Sequence, residues 1–182
     1  DGISGRVSIS FWMSDTNYDK ELGTLLKQDP KSGNWYVYTD GEINTGYNGL
    51  IQYNNDWWYI KAGKLEFGYT GLVKHTDGQW YYVKGGKVDW TYTSLCLYNG
   101  TWYYVKNGID WTYSGLVLYN KEWFYVQKGA INWNYTGLVF HTNKKWYYVQ
   151  GGKITWKYTG LVKHTDGEKY YVQDSQINWN YT

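Results

Sequence analysis

The sequence predicts an all-β fold, a solenoid of short stacked β-hairpins, and three observations lead there. One phrase of 21 to 25 residues recurs seven times. Aromatic residues return at fixed places within it, and every copy sets two short β-branched and aromatic runs around a turn signal.

The copies begin near Thr24, Gly49, Gly71, Ser94, Gly115, Gly137 and Gly160. One aromatic slot reads Trp35, Trp57, Trp80, Trp102, Trp123, Trp146 and then Lys169; a second reads Thr45, Phe67, Trp90, Trp111, Trp133, Trp156, Trp179. The pattern decays at both ends of the array, as expected where a repeat has a neighbour on one side only. Residues 1–23 carry no copy, although residues 7–13 alternate like a strand, and they are read as a cap or the edge of a preceding domain. Residues 24–182 are the array. The chain has neither an initiating Met nor a signal peptide, which reads as a piece of a longer protein.

Composition removes several function classes. The net charge is +2, and the aromatics are interleaved with Asn, Thr and Gly rather than Arg, so nucleic acid is not a predicted partner. A single cysteine permits no internal disulfide, and Cys96 falls in a slot otherwise held by Val73, Val117, Val139 and Val162, a buried small hydrophobe. No apolar run reaches the roughly 20 residues of a membrane span. His75, His141 and His164 share one slot with Tyr53, Tyr98 and Tyr119, so they read as ringed residues with a polar tip and no metal is assigned. Carboxylates are scattered, and no nucleophile motif, P-loop or dinucleotide fingerprint is present; no catalytic residue, cofactor or enzyme activity is predicted.

The turn signals are Asp40-Gly41, Ala62-Gly63, Gly85-Gly86, Asn107-Gly108, Lys128-Gly129 and Gly151-Gly152, with Asp174-Ser175 in the last copy. A two-residue turn at Gly85-Gly86 sets Val83 opposite Val88 and Tyr81 opposite Trp90. One face then collects Tyr81, Val83, Val88 and Trp90 as core; the other collects Trp80, Tyr82, Asp89 and Thr91 as an aromatic but wet face. The copy from Ser94 has one residue fewer, and a three-residue loop, Lys106-Asn107-Gly108 with Gly108 left-handed, keeps Val105 opposite Ile109 and Trp111 on the same face as Trp90. The Tyr-Thr-Gly-Leu-Val segment is read as the link between hairpins, its leucines (Leu72, Leu95, Leu116, Leu138, Leu161) packing between copies.

Where Gly-x-Trp-Tyr-Tyr-Val leads to a Gly turn and then to Thr-Gly, residues 24–182 resemble the choline-binding and glucan-binding (cell-wall-binding) repeats of Gram-positive surface proteins. That resemblance implies stacked β-hairpins in a left-handed superhelix, ligands held against aromatics between neighbouring copies, and a secreted, cell-surface protein with a further domain. Gly-Leu replaces the family's Gly-Trp at Gly71-Leu72, Gly115-Leu116, Gly137-Leu138 and Gly160-Leu161, which removes one wall of the usual aromatic cage. Extra aromatics stand in the Trp90 slot and at Tyr47, Tyr69, Tyr92, Tyr113, Tyr135, Tyr158 and Tyr181.

The candidate ligand-binding residues are therefore the wet-face pairs Trp57 and Tyr59, Trp80 and Tyr82, Trp102 and Tyr104, Trp123 and Tyr125, and Trp146 and Tyr148. An aromatic cage suits a quaternary ammonium, whereas an aromatic platform flanked by Asn, Asp, Thr and Tyr suits a sugar ring. The function expected is a non-catalytic module anchoring a larger secreted protein to a cell-wall polymer (teichoic acid or glycan) or a glucan. The rival readings are a stalk whose aromatics serve only stacking, and an array that binds choline or a protein receptor. A stalk leaves few Trp faces open.

Overall fold

A computed structural model describes residues 23–181. The strand read at residues 7–13 and nearly all of the segment read as a cap lie outside the described residues. Every regular element among the described residues is a strand, and no helix is long and apolar enough to cross a membrane. The chain divides into two compact units, one running to Tyr69 and including Gly85–Lys87, the other comprising Thr70–Lys84 and the chain from Val88 onward.

Seven antiparallel hairpins follow one another among the described residues. In the first unit Thr24–Gln28 pairs with Trp35–Thr39 and Gly49–Tyr53 with Asp56–Lys61. In the second, Gly71–Lys74 pairs with Trp80–Lys84, Thr93–Tyr98 with Thr101–Lys106, Gly115–Tyr119 with Glu122–Gln127, Gly137–Phe140 with Trp146–Gln150, and Gly160–Lys163 with Lys169–Gln173.

These pairings correct the sequence reading in one respect. The Gly-Leu-Val segment is no linker: it is the first strand of the principal hairpin, with Leu116 opposite Tyr125 and Val117 opposite Phe124. The turn joining the two strands is itself a hairpin signal, Asn99 and Gly100 both having positive φ (46° and 79°). The second turn behaves as expected but leads to a strand of only two residues, as in Ala130–Ile131, Lys153–Ile154 and Gln176–Ile177. Val126 lies opposite Ile131, Val149 opposite Ile154 and Val172 opposite Ile177, the register predicted for this slot. In the shortened copy, Val105 bridges Ile109 across Lys106-Asn107-Gly108, and Gly108 takes φ +101°.

Each two-residue strand also stitches its copy to the preceding hairpin. Ala130 pairs with Tyr103, Lys153 with Phe124 and Gln176 with Tyr147 in the second unit, as Lys64 does with Tyr36 and Lys87 with Trp58 in the first. The turn glycine makes this approach possible. Gly129 has φ +80°, its carbonyl accepts from Tyr104 N at 2.8 Å, and a Cβ there would lie 2.8 Å from the Asp110 carbonyl oxygen. Ser175 fills the same slot in the last copy at φ +60°, fully buried, its Oγ accepting from Tyr158 N at 3.3 Å.

The core is built from one hairpin's valines and the previous hairpin's leucine. Leu95 packs with Val117, Val126 and Ile131, Leu116 with Val139, Val149 and Ile154, and Leu72 with Cys96, Val105 and Ile109. Leu72, Leu95, Leu116 and Leu138 thus pack between copies as expected while Leu161 does not, and Cys96 is a buried hydrophobe. Leu161 is 60% exposed.

Candidate functional site: aromatic grooves between consecutive hairpins

The tyrosines that follow the Asx residue are structural. Tyr113 donates its hydroxyl to Leu116 O at 3.0 Å and Tyr135 to Leu138 O at 2.8 Å, closing the entry into the next hairpin. Their rings carry the tyrosines named as ligand contacts: Tyr82 stacks on Tyr92 (3.6 Å, 16°), Tyr104 on Tyr113 (4.1 Å), Tyr125 on Tyr135 (4.2 Å), Tyr148 on Tyr158 (4.0 Å) and, in the first unit, Tyr59 on Tyr69 (4.3 Å). Burial pushes up the phenols of Tyr82, Tyr104, Tyr113, Tyr125, Tyr135 and Tyr148, and that of Tyr92 to about 12, so these seven stay neutral donors.

The tryptophans of the same candidate pairs sit differently. Trp80 meets Tyr98 of the following hairpin at 4.7 Å, Trp102 meets Tyr119 at 5.0 Å, Trp123 meets His141 at 4.7 Å and Trp146 meets His164 at 4.9 Å. Trp35 and Tyr53 repeat the contact in the first unit at 4.9 Å. These indoles are half-buried, with one flank on the next hairpin's core. Trp57, the remaining candidate, is half-buried in the first unit. The face expected to be wet is therefore largely the seam between hairpins, because stacking covers both faces of each small sheet. His141 and His164 are ring partners of tryptophan, His75 meets Tyr81 edge-on at 6.2 Å, and burial lowers the His141 pKa.

The second aromatic slot corrects the sequence reading. Trp90, assigned to the core, is 47% exposed, and the rest of its slot is open as well: Phe67, Trp111, Trp133, Trp156 and Trp179 are all exposed. Strand alternation fails there for a local reason. The third strand ends two residues after it begins, and the next residue opens an Asx turn. Asp110 Oδ1 accepts from Thr112 N (3.0 Å), Thr112 Oγ1 (2.6 Å) and Tyr113 N (3.1 Å), leaving Trp111 at the turn's apex. Asp89 does the same around Trp90, Asn132 around Trp133 and Asn178 around Trp179. The Thr112 and Thr91 hydroxyls hold the Asp110 and Asp89 carboxyls below the usual carboxylate range. The signal was in the sequence: Asp-Trp-Thr and Asn-Trp-Asn are turn tripeptides.

Each apical ring stands edge-on to a ring of its own hairpin: Tyr81 with Trp90 at 5.3 Å, Tyr103 with Trp111 at 5.7 Å, Phe124 with Trp133 at 5.8 Å, Tyr147 with Trp156 at 5.7 Å and Tyr170 with Trp179 at 5.8 Å. Trp111 therefore keeps the face of Trp90, as the three-residue loop required. Between an apical ring and the tryptophan of the preceding hairpin a groove opens. Trp102, Tyr119, Phe124 and Trp133 wall one of ≈ 200 Å³, with Leu95 and Ile131 at its base and Asn120 and Glu122 on its lip. Trp123, His141, Tyr147 and Trp156 wall a second of ≈ 40 Å³, where Asn143 Nδ2 donates to the Tyr147 hydroxyl at 2.7 Å. Trp146 and Trp179 wall a third of ≈ 480 Å³, bordered by Lys145 and Asp174. The narrow one coincides with a backbone difference: Thr155 stands in the Asx position and Trp156 takes φ +61°, a rare conformation for a bulky residue.

The same spacing of rings and turns is what a family model recognises. The model described as "Choline-binding repeat" matches residues 46–66, 68–89, 91–109, 112–132, 134–155 and 157–178, more than half of the chain. The chain belongs to the choline-binding repeat family. Among solved structures similar to this choline-binding repeat array is choline-binding protein F from Streptococcus pneumoniae, at 22% identity and TM-score 0.31 over 84% of this chain and 47% of that one. Another is choline-binding protein F in complex with ipratropium, at 22% identity and TM-score 0.34 over 86% of this chain and 48% of that one. A third is alternansucrase in complex with isomaltononaose, at 13% identity and TM-score 0.26 over 87% of this chain and 17% of that one. The repeats span about half the length of choline-binding protein F. No curated protein sequence matches the chain significantly.

The residues of the choline-binding repeats thus fall into three roles. Val, Leu and Ile of consecutive hairpins make the core, the Tyr layer locks each copy's entry, and two tryptophan slots wall the grooves. Among the described residues no group of His, Cys, Asp or Glu has the arrangement to hold a metal ion.

Proposed function

We propose that this chain is a non-catalytic anchoring module that attaches a larger secreted protein to a bacterial surface polymer, a choline-bearing teichoic acid or a glycan, through the aromatic grooves between consecutive hairpins. The observation that carries this reading is the groove itself: two aromatic slots, one from each of two neighbouring hairpins, face one another repeatedly along the array. The open aromatics argue against a stalk. In a stalk every indole is consumed by stacking, yet the apical slot leaves rings such as Trp111 at 46% and Trp133 at 47% exposed. A shallow site of this kind binds weakly by itself, and linked sites along a polymer add through effective concentration.

Of the residues named from the sequence, Trp80, Trp102, Trp123 and Trp146 are proposed as one wall of the sites. Tyr82, Tyr104, Tyr125 and Tyr148 are proposed to brace that wall, and the apical slot supplies the wall opposite. Co-sedimentation with purified Gram-positive cell walls, before and after removal of choline and of wall polymers, tests the reading. Retention that disappears with the polymer supports it; a chain that never sediments with walls overturns it.

A further inference from the structure

We infer that Asn99-Gly100 is a site of spontaneous covalent modification, at which the folded chain converts Asn99 to aspartate and isoaspartate ahead of its two other Asn-Gly pairs. The pair forms the tip of a hairpin turn and lines none of the three grooves.

The sequence holds Asn-Gly at Asn48-Gly49, Asn99-Gly100 and Asn107-Gly108, and each pair carries the same latent reaction. The backbone nitrogen of the glycine attacks Cγ of the asparagine. The Cγ–Nδ2 bond breaks, the glycine's proton ends on the departing nitrogen, and ammonia leaves behind a five-membered succinimide. Water then adds to one ring carbonyl. Breaking the new Cγ–N bond restores the main chain and gives aspartate; breaking the original peptide bond routes the main chain through Cγ and gives isoaspartate. One water is consumed, one ammonia is released, and nothing is oxidised or reduced. Glycine favours the attack because no Cβ shields its nitrogen or restricts its backbone. The three pairs differ in how freely the asparagine side chain and the peptide bond after it can turn towards each other.

Asn48 is tied at both ends of its amide. Its Nδ2 donates to Gly46 O at 3.0 Å, its Oδ1 accepts from Ala62 N at 2.9 Å, and Gly49 is held opposite Ile60 in a strand. At Asn107 it is the glycine that is held. Gly108 is buried, its carbonyl accepts from Lys106 N at 2.7 Å, and a Cβ placed on it would lie 3.0 Å from Trp80 O. The next amide, Ile109 N, donates to that same Trp80 carbonyl at 3.0 Å. Asn99 has none of these restraints. Asn99 and Gly100 are both exposed, at φ 46° and 79°, and the Asn99 side chain makes no hydrogen bond among the described residues. A Cβ on Gly100 would meet nothing within 4 Å, so the turn has room to open and close the ring.

The product acts on the fold. Isoaspartate adds a backbone atom to a two-residue turn whose length sets Tyr98 opposite Thr101 and Leu97 opposite Trp102. Tyr98 is the ring that Trp80 meets at 4.7 Å, so the conversion loosens a seam between two hairpins.

Timed incubation of the 182-residue chain in mildly alkaline buffer tests the inference, once folded and once in urea. Peptide mass spectrometry reads the three asparagines separately, and isoaspartyl methyltransferase labels the isoaspartate. In the folded chain Asn99 converts about tenfold faster than Asn48, because two hydrogen bonds must break before Asn48 can react. In urea the three rates converge. Gly100→Asn copies the Asn54-Asn55 turn, which takes φ 49° and 65° in the same chain, so the hairpin is kept while the new side chain shields the attacking nitrogen. Conversion of Asn99 in that variant slows both in the folded chain and in urea. An Asn99 that keeps its amide, equal rates at the three sites of the folded chain, or an Asn99 lead that persists undiminished in urea overturns the inference. So does a Gly100→Asn variant that converts as fast as the parent chain.

Discussion

The Trp123 indole and the His141 imidazole meet edge to face at 4.7 Å and 73°, across the seam between two hairpins. The same seam holds a tyrosine against tryptophan at Trp102–Tyr119, so a neutral ring is all the position asks for. A histidine adds a titratable group where burial disfavours its charge.

That contact makes the array sensitive to mild acid. Burial lowers the His141 pKa from its usual value, so the unfolded chain binds the proton more tightly than the folded one. The stability is present in full above the unfolded pKa of about 6.5 and is lost as pH falls towards the lower folded value. Thermal melts between pH 7.5 and 5 show a falling midpoint, and His141→Tyr flattens that part of the profile. An unchanged slope in the variant places the pH dependence elsewhere.

Gly129 lies where two requirements coincide, φ +80° and a carbonyl oxygen 2.8 Å from any added Cβ. Gly129→Ala costs about 2 kcal/mol, because left-handed strain is added and the stitching of Ala130 to Tyr103 must also shift. Urea denaturation measures it. Lys128, beside it at φ +50°, behaves oppositely, and Lys128→Gly is neutral or mildly stabilising.

The leucine slot separates burial from sequence identity. Leu116 is 3% exposed and Leu161 is 60% exposed, though both occupy the same place in their copies. Leu116→Ala lowers stability by roughly 2–5 kcal/mol, whereas Leu161→Ala changes it by no more than about 0.5 kcal/mol. Paired chemical denaturation curves decide it.

Thr155 breaks the Asx pattern, and Trp156 beside it carries the left-handed φ. Thr155→Asn offers the side-chain carbonyl that Asn132 uses around Trp133. The expected outcome is a gain of about 1 kcal/mol as strain is relieved, together with a wider Trp123–Trp156 groove seen as red-shifted tryptophan emission. Loss of stability in this variant shows that the Thr155 hydroxyl, 3.4 Å from Ser175 Oγ, matters more than the backbone.

The tyrosine layer is tested at Tyr113. Removing its hydroxyl leaves the buried side of the Leu116 carbonyl without that donor, so Tyr113→Phe costs roughly 1 kcal/mol. Ligand affinity is retained if the layer is structural, and a matching loss of affinity shows that it reaches the groove.

The sequence by itself determined the repeat, the all-β class, the register at the glycine turns, the three-residue loop that keeps Val105 opposite Ile109 and the burial of Cys96. These are local matters: a turn of known length fixes which residues face one another, and a two-residue period does the rest. Three things were decided only by tertiary structure. Gly-Leu-Val proved to be a paired strand, because pairing needs a partner that lies beyond the loop. Trp102 and its equivalents proved to be seam residues, because stacking leaves neither face of a small sheet fully wet. Trp133 and its slot moved from the expected core to the open wall of a groove, because a two-residue strand ends before alternation reaches them and an Asx turn carries the indole outward. Grooves form between hairpins, so no single copy of the repeat contains one.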